Sequence, residues 1–151
     1  MISLPTHSRR RYNHAVPSSS PKLPEVELAP GTLVIADLHL DVGPSGGEAR
    51  EFATFVEALR DVPRMIVLGD LFDAWVGPAQ IELVAARRVV ELMRGLTQRG
   101  TKLDVLVGNR DFLLEAKFEA ATGARVHREG FVGLVGGQRV LFIHGDELCT
   151  L

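Results

Sequence analysis

The chain has 151 residues, of which 46% are hydrophobic and 24% charged, and its formal net charge is −2. This composition is typical of a single globular domain and argues against intrinsic disorder, collagen-like repeats and coiled coil. The near-neutral charge gives no basic field to attract nucleic acid, and no apolar run approaches the roughly 20 residues of a membrane span. The single cysteine, Cys149, cannot form an internal disulfide, so we expect a reducing, cytoplasmic compartment.

The first 30 residues differ in composition from the rest of the chain. A basic patch is followed by Pro17, three serines and further prolines up to Pro30. Such a segment disfavours helix and strand alike. We therefore predict a flexible leader over residues 1–30 and a folded domain over residues 31–151.

From residue 31 onward, short apolar runs alternate with helical patterns. Three apolar runs, each ending in a turn, predict buried strands over residues 32–36, 65–68 and 103–107. Apolar residues at helical spacing predict helices over residues 48–60, 81–98 and 112–121. A Gly136-Gly137 turn between two further apolar runs predicts a hairpin of residues 131–135 and 139–143. This order predicts an α/β fold with a largely parallel first sheet.

Polar side chains that can bind metal follow four of the predicted strands. They are Asp37, His39, Asp70, Asn109 and His144. Because the carboxyl ends of the strands in an open α/β sheet share one edge, we expect these residues to converge. Carboxylate, amide oxygen and imidazole suit Mn²⁺, Fe or Zn²⁺, and there is no thiolate set to select a softer metal.

Five such residues exceed what one tetrahedral ion needs and favour a pair of divalent ions. Asp70 follows the central strand and is predicted to bridge the two ions. Asp37 and His39 are two residues apart and can both reach one ion, which leaves Asn109 and His144 for the other.

Three motifs carry a resemblance to a known family. Asp37-Leu38-His39, Gly69-Asp70-Leu71-Phe72-Asp73 and Gly108-Asn109-Arg110-Asp111 resemble the motifs of the calcineurin-like metallophosphoesterases, in the same order after successive strands. Most of that superfamily has histidine where this chain has Arg110. Together with the residues that continue each motif and His144-Gly145-Asp146, this exchange is similar to the UDP-2,3-diacylglucosamine hydrolases.

The resemblance implies a four-layer αββα sandwich, here incomplete at its C-terminus. It implies hydrolysis of the pyrophosphate of UDP-2,3-diacylglucosamine to lipid X and UMP in lipid A synthesis, by a water activated by two metal ions, Mn²⁺ foremost. It implies that Arg110 and Asn109 contact the phosphate as catalytic residues, while Asp73 and Asp111 orient their neighbours. A lipid substrate would bring the protein to the cytoplasmic face of the inner membrane, whereas nucleic acid is not an expected partner.

The resemblance covers about residues 32–151, which correspond to the N-terminal half of such an enzyme. The family carries a later Gly-His-x-His motif and a helical lid, and neither occurs in this sequence. Two alternatives therefore stay open. The chain is another calcineurin-like phosphoesterase that acts on nucleotides or phosphodiesters, or it is a catalytically incomplete fragment of unknown oligomeric state.

Three further residues have plain structural interpretations. His127 has the charged neighbours Arg125 and Arg128, so we expect it to be solvated. Asp111 precedes a predicted helix and can equally serve as its N-cap. Trp75 fits either the core or a substrate groove.

Overall fold

The computed structural model describes residues 22–43 and 47–146. Seven strands occur in this part of the chain: β1 (Glu25–Glu27), β2 (Leu33–Ile35), β3 (Arg64–Leu68), β4 (Lys102–Leu106), β5 (Arg125–His127), β6 (Phe131–Val135) and β7 (Gln138–Phe142). The helices are α1 (Gly47–Ala58), α2 (Val84–Gln98) and α3 (Ala116–Thr122), with a 3₁₀ turn at Pro78–Glu82 before α2.

The strands form two sheets. The parallel sheet has the order β2-β3-β4-β5, and all its neighbours run in the same direction. The mixed sheet has the order β1-β6-β7, with β1 parallel to β6 and β6 antiparallel to β7. The hairpin of β6 and β7 turns at Gly136-Gly137, as the sequence predicts.

The two faces of the parallel sheet pack against different layers. On one face, alternate residues of β3 and β4, such as Met65 and Val105, join the core formed with the helices. On the other face, Ile66 and Leu106 pack with Phe131 of the mixed sheet. The result is a three-layer helix–sheet–sheet arrangement within the described residues, which confirms the predicted α/β fold. The second helical layer of an αββα sandwich is not among the residues described.

The N-terminal segment differs from the expectation of a leader that extends to residue 30. Residues 25–27 form β1, whose Val26 is buried against the parallel sheet. Pro24 and Pro30 flank this strand without interrupting it, so its N–H groups remain available for pairing. Residues 1–21 of the predicted leader lie outside the described residues, as does Cys149.

Two of the predicted helices start later than expected. The predicted helix over 81–98 begins at Val84, because Pro78–Glu82 form a separate 3₁₀ turn. The predicted helix over 112–121 begins at Ala116, since the preceding residues turn around the buried Asp111. Within the described segments, no helix combines the length and apolar character that crossing a bilayer requires.

The expectation for His127 is wrong, because its side chain is only 3% exposed. Its Nε2 lies 2.7 Å from Oδ1 of Asp104, and Arg64 donates to the other oxygen of the same carboxylate. All three residues sit on the face of the parallel sheet that packs on the mixed sheet. Because burial removes water from the Asp104 carboxylate, it needs partners within the protein, and His127 and Arg64 supply them.

Trp75 belongs to the core. Its side chain is buried and stacks on Phe72, with ring centroids 4.7 Å apart. The sequence pattern left this residue undecided between core and groove, and the structure settles it in favour of packing.

Candidate metal centre

Three of the predicted ligands come together at one edge of the parallel sheet. Oxygen atoms of Asp37 and Asp70 and a ring nitrogen of His144 all lie within 4.8 Å of one another. Asp37 follows β2, Asp70 follows β3, and His144 follows β7 of the other sheet. The group therefore forms where the ends of both sheets meet.

The segment after β2 alternates between the metal group and the core. Leu40 is buried in the helix-side core, and Leu38 packs against the same cluster. The backbone N–H of His39 donates to the carbonyl of Asp70 at 2.9 Å, and the backbone N–H of Leu40 donates to the carbonyl of Leu71. These bonds place the His39 Nε2 atom 3.8 Å from Oδ2 of Asp70.

Asp70 lies at the centre of the group. Its residue is only 5% exposed, and its Oδ1 accepts the backbone N–H of Arg110 at 3.0 Å. Oδ1 lies 3.8 Å from His144 Nε2, whereas Oδ2 faces His39. The two oxygens of one carboxylate are thus directed toward two different imidazoles.

The orientation of His144 is fixed by a backbone carbonyl. Its Nδ1 lies 2.7 Å from the carbonyl oxygen of Leu68, which can only accept, so Nδ1 carries the proton and Nε2 faces Asp70. This is the usual second contact of a metal-binding histidine. Burial opposes protonation of His144, but the Leu68 carbonyl and the carboxylates of Asp70, Asp146 and Asp37 outweigh it and raise its pKa.

The backbone is strained at three of the predicted ligands. Asp37, His39 and Asp70 have φ values of 51°, 45° and 48°, in the left-handed region that favours glycine. A side chain in this region costs roughly 1–2 kcal/mol per residue, somewhat less for aspartate. Such outliers concentrate at functional sites, where the surrounding structure holds them in place.

Two glycines allow the loops to approach. A Cβ at Gly108 would lie 2.5 Å from the backbone nitrogen of Asp70 and 2.9 Å from its Cγ. A Cβ at Gly69 would lie 2.6 Å from Cγ of His144, at a φ of +84°. No side chain fits at either position without moving a predicted ligand.

Asp111 joins the loops that follow β3 and β4. Its buried carboxylate accepts the N–H of Gly108 at 2.7 Å and that of Leu71 at 2.8 Å. Burial raises the pKa of Asp111, although these backbone N–H groups oppose the shift. The side chain therefore ties the Asp70 loop to the Asn109 loop and does not cap α3, which begins five residues later.

Arg110 and Asn109 lie on the exposed side of the centre. The guanidinium of Arg110 is 3.4 Å from Oδ1 of Asp73, and both side chains are about half exposed. Asp73 also lies 3.7 Å from Nδ1 of His39. Asn109 is an exposed residue of the same loop, between the anchored backbones of Gly108 and Arg110.

The residues present fit a divalent cation. Two ligand atoms each about 2.1 Å from one ion lie at most about 4.2 Å apart, and the 3.8 Å separations around Asp70 fall within that limit. Carboxylate oxygens with imidazole nitrogens form a borderline-hard donor set. The cluster of negative charge also favours a bound cation over an empty group.

Sequence reasoning missed two contributors to the centre. Asp146 adds negative charge near His144, and the Leu68 carbonyl fixes the tautomer of that histidine. Asp146 had a signal, since it follows His144-Gly145 at a strand end. The Leu68 carbonyl had none, because every residue carries the same backbone group.

Comparison with known proteins finds relatives that this chain matches over only part of their length. A UDP-2,3-diacylglucosamine hydrolase of Chromohalobacter salexigens is 40% identical over 120 residues, which are 79% of this chain and 48% of the relative. A second, of Ralstonia nicotianae, is 36% identical over 89% of this chain and 50% of its own length. A third, of Azotobacter vinelandii, is 36% identical over 79% of this chain and 49% of its own length. No protein-family model matches the chain.

The chain thus spans about half the length of the curated relatives it matches. An α/β fold that gathers carboxylates and an imidazole at its strand ends has the arrangement of a protein that binds divalent metal ions. Among such proteins, the chain is a homologue of the UDP-2,3-diacylglucosamine hydrolases over the half of their length that it matches. The resemblance carried by the three sequence motifs is therefore confirmed.

Proposed function

We propose that this chain supplies metal-binding residues of an enzyme that hydrolyses the pyrophosphate of UDP-2,3-diacylglucosamine to lipid X and UMP, in lipid A synthesis. The observation that carries the proposal is the convergence of Asp37, Asp70 and His144. The name of the relatives supplies the substrate. A pyrophosphate presents the anionic oxygens that divalent ions neutralise.

The donor set suits two divalent ions and accepts Mn²⁺, Fe or Zn²⁺, of which the family resemblance favours Mn²⁺. Asp70 would be the ligand common to both ions, because one of its oxygens faces His39 and the other faces His144. Asp37 and His39 would hold one ion, while Asn109 and His144 would hold the other. When bound, such a pair activates a water and neutralises charge on the phosphate oxygens.

Arg110 contacts the substrate phosphate in this proposal. Its side chain is 52% exposed and contacts Asp73, so its guanidinium is oriented, and among the described residues most of its N–H donors have no partner. A planar guanidinium offers paired donors to phosphoryl oxygens as charge develops on them. Asn109, the neighbouring residue, contacts the same phosphate, and Asp111 positions both through the loop that carries them.

The chemistry of the substrate also suggests where the enzyme works. The single cysteine favours a reducing compartment, so we place the protein in the cytoplasm. A sugar nucleotide with two acyl chains resides in a membrane, so we add peripheral contact with the inner membrane. The net charge of −2 gives no reason to expect nucleic acid as a partner.

The first experiment measures metal content after loading the purified chain with Mn²⁺. We expect about two ions for the native chain and none for Asp70→Ala, because both ions share that ligand. Asp61→Ala is the matched control: Asp61 is an exposed aspartate with a φ of 53°, close to the 48° of Asp70. Retention of one ion by Asp70→Ala would contradict the bridging role, and a native chain without Mn²⁺ would contradict the centre itself.

Substrate choice is tested separately on the Mn²⁺-loaded sample. Cleavage of UDP-2,3-diacylglucosamine in preference to bis(4-nitrophenyl) phosphate supports the proposal. The opposite preference would assign the site to another phosphodiester. Metal binding without turnover of either compound would mark the chain as catalytically incomplete by itself.

A further inference from the structure

The first residue of each of three adjacent strands is a cation. Strand β3 begins at Arg64, β4 at Lys102 and β5 at Arg125. These strands are neighbours in the parallel sheet, so their first residues lie together at its amino edge. The metal group follows the ends of the strands, at the opposite edge of the sheet. The three cations are therefore separate from the candidate metal centre.

The strand register places the three cations on one face of the sheet. Arg64 is paired with Lys102, so their Cα atoms are about 5 Å apart on neighbouring strands. Arg125 is paired with Asp104, which lies two residues after Lys102 and so points to the same side. The Cα atoms of Lys102 and Arg125 are then about 8 Å apart. Like charges in such positions repel each other, and an anion between them would remove the repulsion.

The buried carboxylate of Asp104 already has two partners. Its Oδ1 lies 2.7 Å from Nε2 of His127, and its Oδ2 accepts a hydrogen bond from Arg64. Arg125 stands opposite Asp104 in the register, yet among the described residues its side chain forms no ion pair or hydrogen bond. Asp104 thus compensates Arg64 and leaves Arg125 without a counter-charge.

A cavity of about 490 Å³ opens between these groups. Its lining carries three positive charges, from the cations that begin β3, β4 and β5, and two negative charges, from Asp104 and Glu119. Oε1 of Glu119 accepts the backbone N–H of Val126 at 2.7 Å. Lys102 is exposed, and its ammonium has no partner within the part of the chain that the structure describes. Two cations without partners therefore face one cavity.

We propose that this cavity at the amino edge binds a small soluble anion that carries a phosphate group, held by Lys102 and Arg125. A guanidinium offers paired donors to phosphate oxygens, and an ammonium adds a compact positive charge. The volume is in the range of small-molecule sites and leaves room for an organic substituent beside the phosphate. A recess suits a soluble ligand, whereas the flat surface of a membrane could not enter it.

The test is titration calorimetry with inorganic phosphate on the full chain at constant ionic strength, after removal of metal so that phosphate cannot bind to an ion. We expect one phosphate at this site in the native chain. Lys102→Gln and Arg125→Gln should each weaken its binding roughly tenfold or more, because each removes a hydrogen bond to a charged group. Lys117→Gln is the matched control, since Lys117 is an exposed lysine of α3 outside the cavity lining.

Folding of each variant is checked by the fluorescence of the single tryptophan, Trp75, which is buried in the helix-side core. Absence of binding at millimolar phosphate overturns the proposal, as does binding that neither cavity variant weakens. An equal loss in Lys117→Gln would show a general effect of net charge and also overturn it.

Two further measurements identify where and in what form phosphate binds. Loss of binding in Arg110→Ala but not in Lys102→Gln or Arg125→Gln would place the phosphate at the candidate metal centre and overturn the proposal. Sedimentation with phosphatidylglycerol vesicles, without a response to inorganic phosphate, would assign the cations to a membrane surface and overturn it as well. Neither readout depends on bound metal or turnover, so failure here is distinct from failure of the proposed function.

Discussion

Replacing Gly108 by alanine tests whether close approach of two loops holds the metal centre together. The new Cβ would lie 2.5 Å from the backbone nitrogen of Asp70, where ordinary contacts begin at 3.4 Å. The loops must then part by about 1 Å, an overpacking that costs roughly 1–3 kcal/mol. The hydrogen bond from Arg110 N–H to Asp70 lengthens as well, for about 1 kcal/mol more.

Alanine also lowers the conformational entropy of the unfolded chain, which raises the free energy of unfolding by roughly 0.4–1 kcal/mol. We therefore expect Gly108→Ala to lower the free energy of unfolding by about 2 kcal/mol. Because Asp70 moves with its loop, the affinity for Mn²⁺ should fall roughly 10–100-fold. Urea unfolding followed by Trp75 fluorescence gives the first quantity, and titration calorimetry gives the second.

Gly95→Ala is the matched control for this variant. Gly95 lies inside α2, where a Cβ meets only the end of the Arg99 side chain at 3.5 Å. We expect this variant to be more stable than the native chain by about 0.5–1 kcal/mol, with unchanged Mn²⁺ affinity. The reasoning is refuted if Gly108→Ala unfolds within about 0.5 kcal/mol of the native chain and binds Mn²⁺ equally well.

Three further variants probe strain, buried charge and substrate contact. Because the φ of His39 is 45°, the free energy of unfolding measured in urea should be about 1 kcal/mol higher for His39→Gly than for His39→Ala. The reverse order would exclude backbone strain at this residue. Asp104→Asn should cost about 3 kcal/mol at pH 7. Burial raises the pKa of Asp104, but His127 and Arg64 outweigh it and lower the pKa below 3.8. The difference in free energy of unfolding between Asp104→Asn and the native chain should therefore shrink as the pH falls through that lowered pKa. A difference that does not change with pH would argue against a charged Asp104 carboxylate. Arg110→Ala should lower turnover of UDP-2,3-diacylglucosamine roughly 100-fold with full Mn²⁺ content, and loss of metal would remove Arg110 from the substrate role.

The sequence predicted three of the four strands of the parallel sheet because their signals are local. Strands β2, β3 and β4 are short apolar runs, and each is followed by a residue that can bind metal, so the positions of Asp37 and Asp70 followed from strand order. The same logic located Asn109 on its loop. It could not give the left-handed φ of His39, because the backbone N–H of that residue is held by the Asp70 carbonyl of a distant loop. Strand β5, Arg125–His127, has no apolar run and was not among the predicted strands.

Features that depend on distant partners escaped prediction. Strand β1 has three residues and one buried side chain, Val26, and exists because β6 pairs with it. His127 has charged neighbours in sequence, yet Asp104 of the adjacent strand buries it in an ion-paired network. In both cases the decisive partner lies on another strand, which single-sequence patterns do not report.

The order of strands also sets an order of assembly during synthesis. Strands β2, β3 and β4 each pair with the next strand of the chain, so the parallel sheet can form from the N-terminal side as residues emerge. Strand β1 has to wait for β6, because Glu25 pairs with Val132, and such high contact order slows this step. His144 comes later still in the chain, so the group of Asp37, Asp70 and His144 is complete only after all seven described strands have been synthesised.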